Sequence, residues 1–470
     1  MQRTAVLNVV GLTKGLLGPN TPHINSFLMR GHVATITPVL PAVTCSAQST
    51  YLTGLAPSGH GIVGNGWYNR ELAEVQFWKQ SNHLVHGRKI WEELRALDPK
   101  ATCAKLFWWY NMYSTTDYSI TPRPMYPADG RKVFDIYTWP FSIRTEIKKD
   151  LGEFPFPAFW GPVAGVKSPQ GTPDAVSRWI ADSAKWTENR YSPTLSLVYL
   201  PHLDYNLQRY GPSDPRTAED VRAIDRIVGD LISFFTQRGV SVLILSEYGI
   251  TDVKRPIHLN RVFRQNGWLA IKDELGLELL DAGASTAFAV ADHQVAHVYL
   301  KDRSMEKRIA EMLESDCGVR VLRGSEKRDY GLDHERAGDL VALAPEDAWF
   351  TYYYWLDDRV APDFARCVDI HRKPGYDPVE LFIDPTLKVP ALKIATKLLK
   401  KKLGFRMLMD VIPLDASLVR GSHGVRPADA KHHPVFLTDR SDLLQSEQIA
   451  ATDVYHFIRR ALLAGKKESG

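Results

Sequence analysis

Apolar runs of strand length alternate with amphipathic runs of helix length along most of the chain. Residues 5–10 form a short apolar run of strand type, and a glycine-rich turn spans 11–18. Residues 21–30 read as a helix and 33–39 as the next strand. Further on, 89–97 has a helical pattern and 102–107 a strand pattern. Leu195–Leu200, an amphipathic segment at 218–235 and a strand at 240–245 make one strand–helix–strand unit. Val221, Ile224, Ile227, Val228, Leu231 and Phe235 share one face of its helix. A strand at 434–438 and a helix at 453–463 close the chain. This alternation predicts an α/β fold, a mostly parallel sheet with helices on both faces. Ligands of such sheets bind beyond the carboxyl ends of the strands. Asp204 and Glu247 follow two of those strands and fall on the same edge.

The pattern changes twice. After residue 107 comes an aromatic, proline-rich stretch without a clean period, FWWYNMYSTTDYSITPRPMYPADG, which fits a pocket wall or an ordered loop. Residues 284–344 repeat the strand and helix signals on a smaller scale, with strands at 294–300, 319–322 and 340–343 and a helix at 304–313. The expected division is a core of residues 1–260 and 405–470, an aromatic insertion at about 107–190, and a cap or inserted lobe at 261–404. The tract 393–402 interleaves lysines with Ile394, Leu398 and Leu399. It fits a helix on a membrane surface or an anionic partner, or the commoner solvated helix face.

Composition narrows the class further. The 470 residues suffice for a large core. A net charge of +4 carries no nucleic-acid signal. The four cysteines lack paired spacing, so neither a disulfide framework nor a zinc knuckle is expected. The chain starts MQRTAVLNVV, straight into a strand-like run, and has no apolar run long enough to span a bilayer. The expected location is cytoplasmic.

The segment 41–67, PAVTCSAQSTYLTGLAPSGHGIVGNGW, carries the chemistry. Thr44 follows a strand and opens a run of small polar residues that reads as a helix start. A threonine there is most simply an N-cap. A helix N-terminus is also a place where an anion is favoured and a hydroxyl can meet it. The order T-x(8)-T-G-L-x-P-x-x-H-G-I-x-x-N, from Thr44 to Asn65, resembles the nucleophile segment of the nucleotide pyrophosphatase/phosphodiesterase branch of the alkaline phosphatase superfamily.

That resemblance implies an alkaline-phosphatase-like core. It makes Thr44 the nucleophile and Asn65 the holder of a phosphoryl oxygen. Lys105, just before the aromatic stretch, matches a lysine that contacts the substrate's acidic group. Enzymes of this kind place two divalent metals between the nucleophile and Asp and His ligands, and a metal activates a hydroxyl that is a poor nucleophile by itself. For the first metal, Asp204 and the distant His423 in G-S-H-G match, whereas Gln208 stands where a histidine is expected. His202, two residues before Asp204, is a substitute if the strand extends that far. For the second metal, Glu247-Tyr248 replaces an Asp-His pair, and the Asp at the end of the first strand falls on Val10, with Asn8 the nearest polar residue.

Two accounts fit these residues. One is metal-dependent hydrolysis, or phosphoryl or nucleotidyl transfer, at a small phosphodiester or pyrophosphate, with zinc, manganese or magnesium in one or two sites. The other is a ligand-binding protein with a degenerate metal site, or a phosphonate or sulfate ester hydrolase on the same scaffold. Among the remaining histidines, His60 is expected to stabilise its turn, His258 to face the pocket, and His293 and His297 to pack.

Overall fold

The computed structural model describes residues 1–169 and 171–464. Nine strands form the main sheet: β1 (Thr4–Val9), β2 (His32–Thr37), β3 (Cys103–Leu106), β4 (Tyr118–Pro122), β5 (Ile136–Trp139), β6 (Leu195–Leu200), β7 (Ser241–Leu245), β8 (Val435–Thr438) and β9 (Gln448–Ala450). Their spatial order is β9-β2-β8-β7-β1-β6-β3-β4-β5. The central run β7-β1-β6-β3-β4 is parallel throughout. β8 is antiparallel to both β2 and β7, and β5 is antiparallel to β4. Every residue of β1 and β6 is buried, as continuous apolar runs in a sheet covered on both faces should be.

Four helices position the site and its surroundings: α1 (Thr44–Thr53), α2 (His202–Tyr210), α3 (Thr217–Thr236) and α4 (Pro390–Lys402). α3 buries the apolar face that its sequence predicts, packing it into the core of the main sheet. α1 is different, because all of its residues are buried although six of them are polar. Its side chains are satisfied within the protein. Ser46 Oγ donates to Pro41 O at 2.5 Å, Tyr51 Oη to Ser246 O at 2.8 Å, and Thr50 Oγ1 meets His60 Nε2 at 2.9 Å. A buried polar helix is tolerated only when its groups are paired in this way.

The interval 107–190 contains β4, β5 and two helices, Ser142–Leu151 and Ala175–Tyr191. Further along, an antiparallel four-stranded sheet of Ala287–Asp292, Val295–Leu300, Leu340–Leu343 and Arg320–Leu322 builds a second hydrophobic core. A two-residue connection, His293-Gln294, joins its first two strands. This hairpin faces the carboxyl edge of the main sheet, where Asp292 bonds to the backbone N–H of Asn65 at 2.7 Å.

Candidate active site

The chain leaves β2 at Thr37 and enters α1 at Thr44. Val43 is the N-cap and Thr44 the first helical residue, so the Thr44 hydroxyl does not cap its own helix. It lines a cavity. The cavity sits beyond the carboxyl ends of β6 and β7, where this sheet type places its ligands. Asp204 on α2 and Tyr248 after β7 reach the same cavity.

Three polar groups form a chain inside it. Thr44 Oγ1 lies 3.5 Å from Tyr248 Oη, and Tyr248 donates to Asp204 Oδ1 at 3.1 Å. Gln208, one turn along α2, donates Nε2 to Asp204 Oδ2 at 2.7 Å, and its amide meets Tyr376 Oη at 3.0 Å. Both oxygens of Asp204 therefore hold a donor. A column of rings backs this network. Tyr248 stacks on His423 at 3.5 Å, His423 lies 3.8 Å from His293, and His293 stacks on Tyr376 at 3.5 Å. Burial pushes Asp204 up to about 7, against the hydrogen bonds from Gln208 and Tyr248. Burial also pushes Glu247 up to about 8, against bonds from Gln48, Asn8 and Thr44.

The remaining expected site residues take structural positions around this cavity. Asn8 donates to Glu247 Oε1 at 2.6 Å, and Gln48 donates to the same oxygen at 2.5 Å. Asn65 Oδ1 accepts the Cys45 N–H at 3.0 Å, and its Nδ2 donates to Asp292 Oδ1 at 3.1 Å. The carboxamide thus braces α1, with one Nδ2 hydrogen left over. Lys105 is buried, donates to Tyr110 O at 2.9 Å and does not line the cavity, so its expected contact with substrate has no geometric basis. β6 ends at Leu200, so His202 opens α2 instead of extending the strand. Its ring reaches Asp220 O at 3.3 Å and does not substitute for an ion ligand beside Asp204. His258 bonds to Thr351 at 2.7 Å and stays off the cavity lining.

His293 is the residue that sequence reasoning assigned to packing and the structure places in the cavity wall. Its backbone has φ +61°, a conformation that a residue with a Cβ rarely adopts, at the hairpin after Asp292. Asp292 Oδ1 meets His293 Nδ1 at 2.8 Å. An A-D-H-Q sequence between two apolar runs was the available signal. Trp78, Trp109, Phe159, Trp160 and Tyr376 give the remaining wall much of its aromatic surface, and Lys373, Asp377 and Glu380 give it charge.

The residues present fit the implied two-ion centre poorly. Among the described residues no group of three or more His, Cys, Asp and Glu is placed to hold a metal ion. Gln208 and Tyr248, which stand where the resemblance expects imidazoles, are committed to Asp204. The unpartnered Nε2 of His423, 4.0 Å from Asp204 Oδ1, leaves one imidazole and one carboxylate for an ion, where zinc takes four ligands.

The sheet order, the hydroxyl at the head of α1 and the cavity beside it define an alkaline-phosphatase-like protein. The chain belongs to the type I phosphodiesterase/nucleotide pyrophosphatase family, a family of hydrolases whose model matches residues 4–377. Enzymes of that family generally depend on divalent metals. An uncharacterised pyrophosphatase/phosphodiesterase of Schizosaccharomyces pombe is 24% identical over 257 residues, covering 52% of this chain and 44% of that relative, so the match spans less than half of its length. Murine ectonucleotide pyrophosphatase/phosphodiesterase 5, solved in an inactive form with AMP, superposes with a TM-score of 0.59 at 16% identity, over 98% of this chain and 95% of that one. Phosphonoacetate hydrolase from Sinorhizobium meliloti, solved with phosphonoformate, gives 0.61 at 15% identity over the same shares. At these identities the two structures establish the shared fold.

Proposed function

We propose that this chain hydrolyses, or transfers from, a small phosphodiester or pyrophosphate, with Thr44 as nucleophile. The observation that carries the reading is the Thr44–Tyr248–Asp204 chain at the floor of an aromatic-walled cavity. Thr44 Oγ1 attacks phosphorus as the bond to the leaving oxygen breaks. The Thr44 proton passes to Tyr248 Oη as the Tyr248 proton passes to Asp204. A base whose pKa lies near the working pH suits such a transfer. The positive end of the α1 dipole favours the charge that develops on the phosphoryl oxygens. Water then attacks the phosphothreonine, Thr44 takes its proton back from Asp204 through Tyr248, one water proton stays on the product phosphate and the other leaves to solvent. That release balances a leaving group that departs ionised.

The family's divalent ion has no complete ligand set here, and no step above requires one. The aromatic walls suit a planar or apolar leaving group. The reading also keeps the protein in the cytoplasm, because its four cysteines are buried and unpaired, as thiols in a reducing compartment are.

The closed hydrogen-bond network around Asp204 favours a second reading, a binding protein without turnover. Bis- and mono-nitrophenyl phosphate, a phenyl phosphonate and a nitrophenyl sulfate separate the alternatives. Acid-quenched samples analysed by mass spectrometry should show a phosphoryl adduct on Thr44. Thr44→Ala should lose adduct and turnover with its thermal midpoint unchanged. Turnover persisting in a folded Thr44→Ala protein would falsify the nucleophile, and ligand-induced stabilisation without any turnover would establish the binding protein.

A further inference from the structure

We propose that the outward face of α4, with the segment that follows it to Leu408, docks on an anionic lipid bilayer surface. Between residues 385 and 409 the chain carries six lysines, Arg406 and no acidic residue. α4 lies on the protein through one side only. Ile394 packs on the second core, and Lys393 and Lys397 reach Asp410 at 3.2 and 2.8 Å. At helical spacing, the opposite side carries Leu392, Leu399 and Leu403, which are 62%, 56% and 64% exposed. Lys400 and Lys402 flank this apolar ridge on either side. Phe405 and Leu408, also exposed, continue it past the helix end.

A convex leucine ridge bordered by lysines is the geometry of a helix lying in the headgroup layer. There the leucines enter the acyl boundary and the lysine stems reach back to phosphates. Among the described residues, Lys400, Lys401 and Lys402 carry no ion pair, so their charge remains available to an anionic surface, whereas the charge of Arg406 also acts on Asp129 in the neighbouring loop. Charge also argues against a second copy of this chain as the occupant, because two such faces would bring like charges together. The neighbouring surface has the same character. A side chain at Gly130 would stand 3.3 Å from Arg406, so the loop around it borders the ridge, and that loop exposes Met125, Tyr126 and Phe134. Among the described residues no helix is long and apolar enough to cross a membrane, so the contact is peripheral. The inference is independent of the chemistry at Thr44.

The test is co-sedimentation of the full chain with phosphatidylcholine vesicles, with and without phosphatidylglycerol, at low and high salt. Binding should require the anionic lipid and weaken with salt. Replacing Lys400, Lys401 and Lys402 together by Gln should lower the partition coefficient on the order of a hundredfold. Leu399→Asn with Leu403→Asn should remove the fraction that resists salt. All of these positions are exposed, so thermal midpoint and turnover of a soluble substrate should stay at wild-type values. The proposal fails if wild-type protein stays in the supernatant with anionic vesicles. It fails equally if both variants bind as wild type does, or if the leucine ridge instead mediates a concentration-dependent dimer that Leu399→Asn abolishes.

Discussion

Tyr248 donates its phenolic hydrogen to Asp204 Oδ1 across 3.1 Å, while its oxygen faces the Thr44 hydroxyl at 3.5 Å. The phenol thus links the two groups that, by family resemblance, an ion should link. Tyr248→Phe removes the link and keeps the ring stacked on His423. Loss of a positioned proton carrier costs about 10²–10⁴-fold in rate. Under the proposed mechanism kcat falls by that amount while KM, set by the aromatic wall, changes little. Steady-state kinetics on a nitrophenyl diester decide it, and an unchanged kcat would remove Tyr248 from the proton path.

The amide at position 208 and the phenol at position 248 make a poor metal site, and that can be reversed. The purified chain should hold divalent metal well below one ion per molecule by elemental analysis. Mn²⁺ or Zn²⁺ should leave its thermal midpoint unmoved. Gln208→His with Tyr248→His restores two imidazoles beside Asp204 and His423, and this double variant should gain stability with added Zn²⁺, as binding to the folded state requires. A stoichiometric ion in the wild-type protein would refute the reading of the donor set.

His423 reaches Asp204 because two backbones approach closely. Arg420 N donates to Gln208 O at 3.0 Å, and a Cβ on Gly421 would stand 2.0 Å from Leu207 O. Gly421→Ala must push the His423 segment off α2. Overpacking of this kind costs about 1–3 kcal/mol. Urea unfolding should show that loss, and turnover should drop with it. Stability equal to wild type would mean the contact relaxes freely.

Much of the architecture was legible because burial imposes simple periods. β1 reads as a strand because all six of its residues are buried, and α3 reads as a helix because only one of its faces is. Thr44, Asp204 and Tyr248, singled out by the family resemblance and by their places after strands, come together in one cavity. α1 has no apolar stripe, since the whole helix is buried and polar side chains fill it. Val43, not Thr44, proved to be the cap, a distinction carried by backbone angles alone. The roles of Asn65 and Lys105 depended on partners, Asp292 and Tyr110, that no spacing rule selects. His293 was assigned to packing because its strained turn and its stacking between His423 and Tyr376 arise only when the second core closes on the first.

Two buried histidines away from the cavity set an acid limit on stability. His60 Nδ1 accepts the Ile62 N–H at 3.1 Å, and His297 Nδ1 accepts the Gly338 N–H at 3.1 Å. Each ring is neutral with its proton on Nε2, facing Thr50 and Val63 O respectively. Burial pushes His60 down to about 3, with the charge of His334 adding to it, and pushes His297 down to about 4. The unfolded values lie near 6.5. Between pH 6.5 and 4 the unfolded chain therefore binds protons that the folded chain does not. The stability these two rings confer is complete above pH 6.5 and falls as the pH drops towards 4, by up to about 1.4 kcal/mol per pH unit for each ring, while Asp204 and Glu247, raised by burial, bind protons in the folded chain over the same range and act in the opposite sense. Urea midpoints of wild type and of a variant lacking one ring, compared at pH 7, 6 and 5, separate the histidine contribution from that opposing one. His297→Gln, which keeps an acceptor and a donor but cannot titrate, should gain stability relative to wild type as the pH falls from 7 to 5. A difference between wild type and variant that is independent of pH over this range would show that the His297 ring protonates without disturbing the backbone it holds.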